Sequence, residues 1–301
     1  MAVGLPSACR MLALAVAAPL AGAALAAGTP QVVGIAAAIV NDVRISYAQA
    51  PQPRPMAVRQ RVALADQIQT GRRSQLQIML LDRSTFTVGA NARLTIDRFV
   101  YDPATGRSFG ASVAKGAFRF MSGRRDGRSN GSVNSPVASI GIRGTIVDGV
   151  VGAAAADIAS REPAVGRNVC SDRETATLVV LRGPGARTQA NLVPGGADVS
   201  AAGHTVALDR PMLAAYVPRP GVPPIGPFTI SPGGLSRVQD QVSPVLAQWR
   251  RSQGGLGGLL RSLPINIGIG GGGGGSSGRD GRGDPGQGGQ QQPSNPNPGK
   301  Q

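Results

Sequence analysis

Cysteine, histidine, lysine and the aromatics are all scarce in this chain of 301 residues, and each scarcity excludes something. The two cysteines are Cys9 and Cys170, and Cys9 lies ahead of an apolar leader, so the mature chain keeps one thiol and no intrachain disulfide. The single histidine, His204, leaves no Ser–His–Asp arrangement that residue types alone single out. With Cys170 it supplies at most two soft ligands, short of a metal cluster. No cofactor is expected, and the chain reads as not an enzyme. Only six Phe, three Tyr and one Trp stand against 44 Gly and 24 Pro, a balance that suits an all-β module with long loops better than a compact α/β enzyme. Past the leader no apolar run approaches the ~20 residues that span a bilayer, so an integral membrane protein is not expected.

Charge is lopsided in kind as well as sign. Lysine and arginine total 31 against 16 acids, a net +15, yet Lys115 and Lys300 are the only lysines. Such a balance attracts anionic partners at long range. The densest clusters are Arg72-Arg73 and Arg124-Arg125 with Arg128, all in predicted turns. They read either as solvated loop charge or as contacts to an anionic polysaccharide or lipid surface. No aromatics flank them to stack bases, so nucleic acid is not an expected partner.

Arg10, the apolar run Met11–Leu25 and the small-x-small site Ala24-Leu25-Ala26 read as a secretory signal peptide over residues 1–26. The product is expected to be exported, periplasmic or secreted.

The organising stretch is Val62–Thr145. Leu76, Ile78 and Leu80 alternate with Gln75 and Gln77, Phe86 and Val88 resume after Asp82-Arg83-Ser84, and Leu94 and Ile96 resume after Gly89-Ala90-Asn91. Phe118 and Phe120 alternate just before the polar stretch Ser122–Asn134, which reads as a loop. A period of two broken by turn residues about every ten positions signals half-buried strands. The expected fold is all-β, an antiparallel sandwich or a short solenoid-like stack, followed by a disordered Gly/Pro-rich C-terminal tail.

Four motifs carry a family resemblance. They are Asp66-x-Ile68-x-Thr70, Asp82-Arg83-Ser84, Lys115-Gly116-x-Phe118-Arg119-Phe120-x-Ser122-Gly123, and Ser135-Pro136-x-Ala138-x-Ile140-Gly141-Ile142-Arg143-Gly144-Thr145. In this order they resemble the FecR domain. Ala65 and Arg83 stand where the family pattern has glycine, so both turns are expected to be drawn differently, since glycine eases a positive φ. The resemblance implies a protein-recognition module and marks Asp66, Gly141, Arg143, Gly144 and Thr145 as motif positions, structural or partner-binding. Arg143, between two glycines that leave room for it, is expected to cross the sheet edge or fill a buried site as a hydrogen-bonding peg paired with Asp66 or strand-end carbonyls, or else to bind a ligand carboxylate or partner.

In its best-known setting the FecR domain is the periplasmic part of a transmembrane regulator that senses a loaded iron-siderophore transporter and controls a sigma factor. No cytoplasmic helical segment or span is evident here. The expectation is therefore an exported scaffold or protein-interaction module in the cell envelope. The alternatives are a component of envelope signal transduction, or a binder of anionic polymer or lipid.

Around the core at 62–145, the divisions expected are leading strands with a Pro-rich linker over 27–61 and trailing strands over 146–217. A Pro-rich linker with short amphipathic helices follows over 218–269, and the tail occupies 270–301. Gln49–Pro55 reads as an extended linker or turn, and Ser243-Pro244 as the joint between two short helices.

Overall fold

Among the described residues, turn residues cut the apolar alternation into seventeen strands. A computed structural model of the chain describes residues 1, 30–102, 106–123, 129–183 and 195–252. The leading segment gives β1 (Val32–Val40), β2 (Val43–Tyr47), β3 (Ala50–Pro55) and β4 (Arg61–Ala63). The organising stretch gives β5 (Gln67–Thr70), β6 (Gln75–Leu80), β7 (Thr85–Val88), β8 (Arg93–Asp102), β9 (Gly106–Met121), β10 (Ser129–Asn134) and β11 (Ser139–Arg143). Then come β12 (Ile146–Val151), helix α1 (Ala153–Ala159), β13 (Thr177–Leu181), β14 (Gly196–Ala201), β15 (His204–Leu208), β16 (Leu213–Val217) and β17 (Ile225–Thr229). Helices α2 (Pro232–Val242) and α3 (Pro244–Ser252) close the described chain.

The strands form two layers. The first runs β4-β1-β6-β7-β9-β12-β13-β16-β17. The second runs β3-β2-β5-β8-β9-β10-β11-β14-β15. All neighbours are antiparallel except β9 and β10, which are parallel. The chain passes back and forth between layers, so the sandwich is wound like a flattened solenoid. Strand β9 belongs to both: Gly106–Lys115 pairs with β8, and Gly116–Met121 pairs with β12.

The alternating residues of both layers meet in one core that includes Val33, Ile45, Ile68, Ile78, Ile96 and Ile140. Its few aromatics are concentrated around β7 and β9. Phe86 stacks on Phe118 with centroids 5.8 Å apart, and Phe109 on Phe120 at 4.9 Å.

A second core lies on the outer face of the first layer, where Leu178, Val180, Ala214 and Tyr216 meet α1 and the Val238–Val242 face of α2. Every residue of β13 and β16 is buried as a result. Ser231 starts α2: its hydroxyl accepts from the Gly234 amide at 3.0 Å, Pro232 follows at the first helical position, and the buried Glu162 accepts from the Ser231 amide and hydroxyl at 2.8 and 2.7 Å. Two helices meet at Ser243-Pro244, as the sequence suggests.

Several local expectations are corrected. Ala50–Pro55 is not a linker but the edge strand β3, and prolines fit there because only the β2 side needs donors. The expected loop Ser122–Asn134 contains β10, which anchors Val133 in the core and is held by β9 and β11 on either side. Strand β17 lies within the expected linker at 218–269, with Phe228 buried.

Ala65 and Arg83 do not redraw their turns. They adopt φ of 64° and 65°, the left-handed conformation that glycine takes freely. Both side chains are exposed, so glycine would cost no packing. The strain of an L residue there is roughly 1–2 kcal/mol, partly offset by glycine's greater freedom when unfolded. Ala65→Gly and Arg83→Gly should each raise unfolding stability by about 0.5–1 kcal/mol in urea titration; loss of stability would contradict the strain.

The signal peptide, the tail at 270–301, and Arg124, Arg125 and Arg128 lie outside the described residues. Among the described residues no helix is long and apolar enough to cross a membrane.

Candidate partner-binding site

Gly116 takes φ of +87° where β9 leaves the second layer for the first. The residue just before it, Lys115, stands directly opposite Arg93 in the β8–β9 register. Like charges facing across a strand pair repel. Among the described residues neither cation makes a salt bridge or side-chain hydrogen bond. Both are exposed at the rim of a cleft of about 770 Å³, whose far wall is α1 and the segment Arg173–Thr175. A shallower cleft of about 330 Å³ shares Arg93, Ala114 and Pro136 with it and continues past Thr95, Ser112 and Asn134.

The far wall is partly neutralised. Arg173 donates to both Asp157 oxygens, at 2.7 and 3.1 Å, and this bond holds the Asp157 carboxyl below the usual carboxylate range. Asp172 accepts from the Glu174 amide at 2.8 Å and the Thr175 hydroxyl at 2.7 Å, and its carboxyl is likewise held low, chiefly by the Glu174 amide. Among the residues that line the cleft, once Asp157 and Arg173 are paired, Arg93 and Lys115 remain against the carboxylate of Glu174, while Asp172 keeps its charge behind the wall. The cleft can therefore take an anionic group between two cations, flanked by hydroxyls and amides that match a polar partner.

A second ionic group lies under the helices. Asp148, wholly buried, accepts from Arg119 Nε at 2.6 Å and Nη2 at 2.8 Å, while Arg182 Nε stands 3.7 Å away. Arg119 faces its cross-strand partner Asp148 in register. The bond to Asp148 raises the Arg119 pKa, whereas burial lowers that of Arg182, whose Nη1 is buried without a partner. A cavity of about 140 Å³ beside Arg119 is bounded by Gln239, Ser243 and Leu246.

The motif residues fall elsewhere. Asp66 is buried and accepts from the Ala63 amide at 2.8 Å, closing its own turn; desolvation raises its pKa. Arg143 is not a buried peg. Its side chain is 59% exposed and forms an ion pair with Asp198 on β14, the residue opposite Gly141. Two neighbouring strands carry charges that meet across Gly141, so no buried acceptor is needed. Gly144, at φ +55°, turns the chain from β11 in the second layer to β12 in the first. Thr145 donates its amide to Ser122 Oγ at 3.3 Å and accepts from the Ser122 amide at 3.1 Å. The Thr145–Ser122 pair extends the β9–β12 ladder of the first layer by one step, just after the crossing at Gly144.

Arg72 and Arg73 are exposed in the β5–β6 turn and border neither cleft. His204 is exposed on the edge strand β15, and Cys170 is exposed. Among the described residues no three His, Cys, Asp or Glu side chains gather to hold a metal. Arg93, Asp148 and Arg182 were invisible as site residues in the sequence. Lys115 and Arg119 had a trace there, in the Lys-Gly-x-Phe-Arg-Phe motif.

The family model described as FecR protein matches residues 66–184. Among solved structures, two crystal structures of a candidate anti-sigma factor from Parabacteroides distasonis ATCC 8503, at 1.65 Å and 2.50 Å resolution, are similar to the chain at 13% and 12% identity. Their TM-scores are 0.32 and 0.33, and each alignment covers 50% of this chain and 54% of the other, so the chain spans about half of their length. No curated protein matches the chain.

Proposed function

We propose that this chain, whose residues 66–184 form a FecR domain, is an exported, non-enzymatic protein-recognition module that serves envelope signal transduction or scaffolding. The match to the FecR family supports a part in signal transduction, and recognition rather than catalysis is the reading we draw from it. The observation that carries the reading is the unpartnered pair Arg93 and Lys115, held face to face at the rim of a cleft lined by the matched region and by Gln241 of α2. Two cations kept together without an anion suit a partner that supplies one. In this reading the partner is an envelope protein presenting an acidic segment to the cleft, and the apolar leader sends the chain to that compartment.

The test is a pull-down from an envelope fraction with the full mature chain, at low and high salt, beside Arg93→Glu/Lys115→Glu. A discrete protein retained at high salt, with about tenfold weaker capture by the double variant, is the expected result. Capture of lipid or polysaccharide alone, lost at high salt, would overturn the protein-partner reading and favour an anionic polymer or surface instead. Undiminished capture by the double variant would move the site away from the cleft.

A further inference from the structure

Among the described residues the two layers present four free edges, β3, β4, β15 and β17. A free edge offers unpaired amides and carbonyls to any other strand, and folded proteins blunt it with proline, charge, a bulge or shortness. Strand β3 carries Pro51, Pro53 and Pro55 with Arg54 among them, and β4 is three residues long and opens on the exposed Arg61. Strand β17 carries Pro227, and its register with β16 shifts between Ala214 and Tyr216. Strand β15 has none of these devices. His204–Leu208 contains no proline and no Asp, Glu, Lys or Arg, and it pairs with β14 in unbroken register. The core is also open at this end. Val199 on β14 is wholly buried, whereas Val206, which faces it across the ladder and packs on the same core, is only half-buried. One more strand beside β15 would cover it.

We propose that this strand is β15 of a second copy of the chain, so that the second layers of two molecules run on as one sheet about a twofold axis at Val206. The strand is its own complement. In the antiparallel register that uses all of His204–Leu208, Val206 meets the partner's Val206, His204 meets the partner's Leu208, and Thr205 meets the partner's Ala207. Core-facing residues thus meet core-facing ones, and the half-covered valine is closed by its own equivalent. Charge permits the approach. The chain carries a net +15, yet β15 and β17, the two strands at this end, hold no Asp, Glu, Lys or Arg, so no like charges are set against each other. Just beyond β15, Asp209 and Arg210 form an ion pair with each other.

Such a contact uses the same surface on both molecules and closes at two, because the edges left over on each copy are the blunted ones. It also leaves the clefts free. None of the residues lining either cleft belongs to β15 or β17, so a dimer presents the Arg93–Lys115 pair twice, and a partner with two anionic segments gains from both at once.

The test is the mass of the full mature chain in solution, by light scattering, with and without charges on the outward face of β15. Thr205 and Ala207 are both exposed, so substitution there disturbs no core. Thr205→Lys/Ala207→Lys sets like charges directly opposite one another in the proposed register, and Thr205→Glu/Ala207→Glu does so with the other sign. The native mass is expected to rise with concentration from one chain toward two, since so short an edge makes a small interface. Each variant alone should associate about tenfold more weakly. An equal mixture of the two should regain native association, which also shows that both variants fold. A native chain that keeps the mass of one copy over about a hundredfold range of concentration overturns the proposal and leaves β15 to a strand of another protein. Undiminished association of either variant, or a mixture that fails to recover, overturns it as well.

Discussion

Replacing Asp148 by Ala should remove about 3–5 kcal/mol of stability, a large share of the 5–15 kcal/mol that holds a typical domain folded. Asp148 is wholly buried, and its two oxygens take both Arg119 donors at 2.6 and 2.8 Å with Arg182 3.7 Å away. Without the carboxylate, two guanidinium groups face each other beneath α2 and α3 with nothing to balance them. The cost is that of stranded charge, more than that of two lost bonds. The distinction is testable. Replacing all three residues with apolar ones, Arg119→Met/Asp148→Leu/Arg182→Met, should recover most of the loss, because a packed apolar trio needs no counter-charge. Urea titration of the two variants beside the native chain decides it. If Asp148→Ala stays within about 1 kcal/mol of the native chain, the group does not hold the sheet as argued.

Gly116→Ala should cost about 3 kcal/mol, whereas Gly144→Ala should cost about 1. Both glycines lie at positive φ, +87° and +55°, so both substitutions strain the backbone by roughly 1–2 kcal/mol. They differ in surroundings. A Cβ at Gly116 would lie 2.3 Å from Ala92 Cα and 2.6 Å from Ala92 Cβ, whereas nothing lies within 4 Å of one at Gly144. The Ala92 backbone can yield only by opening the β8–β9 pairing that presents Arg93 and Lys115. Overpacking therefore adds about 1–3 kcal/mol at Gly116 alone. The measurement is the difference between the two unfolding free energies, and equal losses would mean that the close approach at Gly116 carries no strain. Gly116→Ala should also weaken capture of the envelope partner, since it shifts the cation pair.

Strands β5 to β8 and the Phe118–Phe120 end of β9 were legible because Leu76, Ile78, Phe86, Leu94 and Phe118 mark the core face in plain alternation. Strand β10 was not, because Ser129-Asn130-Gly131-Ser132 carries no apolar period. Its position is fixed by strands on both sides rather than by its own side chains. Prolines hid β3 and β17 for a related reason: proline argues against a strand only when both edges must donate. The ionic groups were hidden by distance along the chain. Arg93 and Lys115, or Asp148 and Arg182, become neighbours only through strand register, which no local pattern encodes. The partner of Arg143 was hidden in the same way: Asp198 comes beside it only because it stands opposite Gly141 on the adjacent strand.

The sharing of β9 between layers bears on where this protein can be cut. The family match ends at residues 66 and 184, yet a fragment with those borders would be torn from its neighbours on four sides. It would lose β1 beside β6, β2 beside β5, β14 beside β11 and β16 beside β13. Four raw rows of unpaired amides and carbonyls would face solvent, a template for aggregation. The fully buried Tyr216 and helix α2 would also be stripped from the outer face. A recombinant piece trimmed to the recognisable motif should thus precipitate, and one beginning near Pro30 and running past α2 should remain in solution. The unit that inheritance recognises is smaller than the unit that folds.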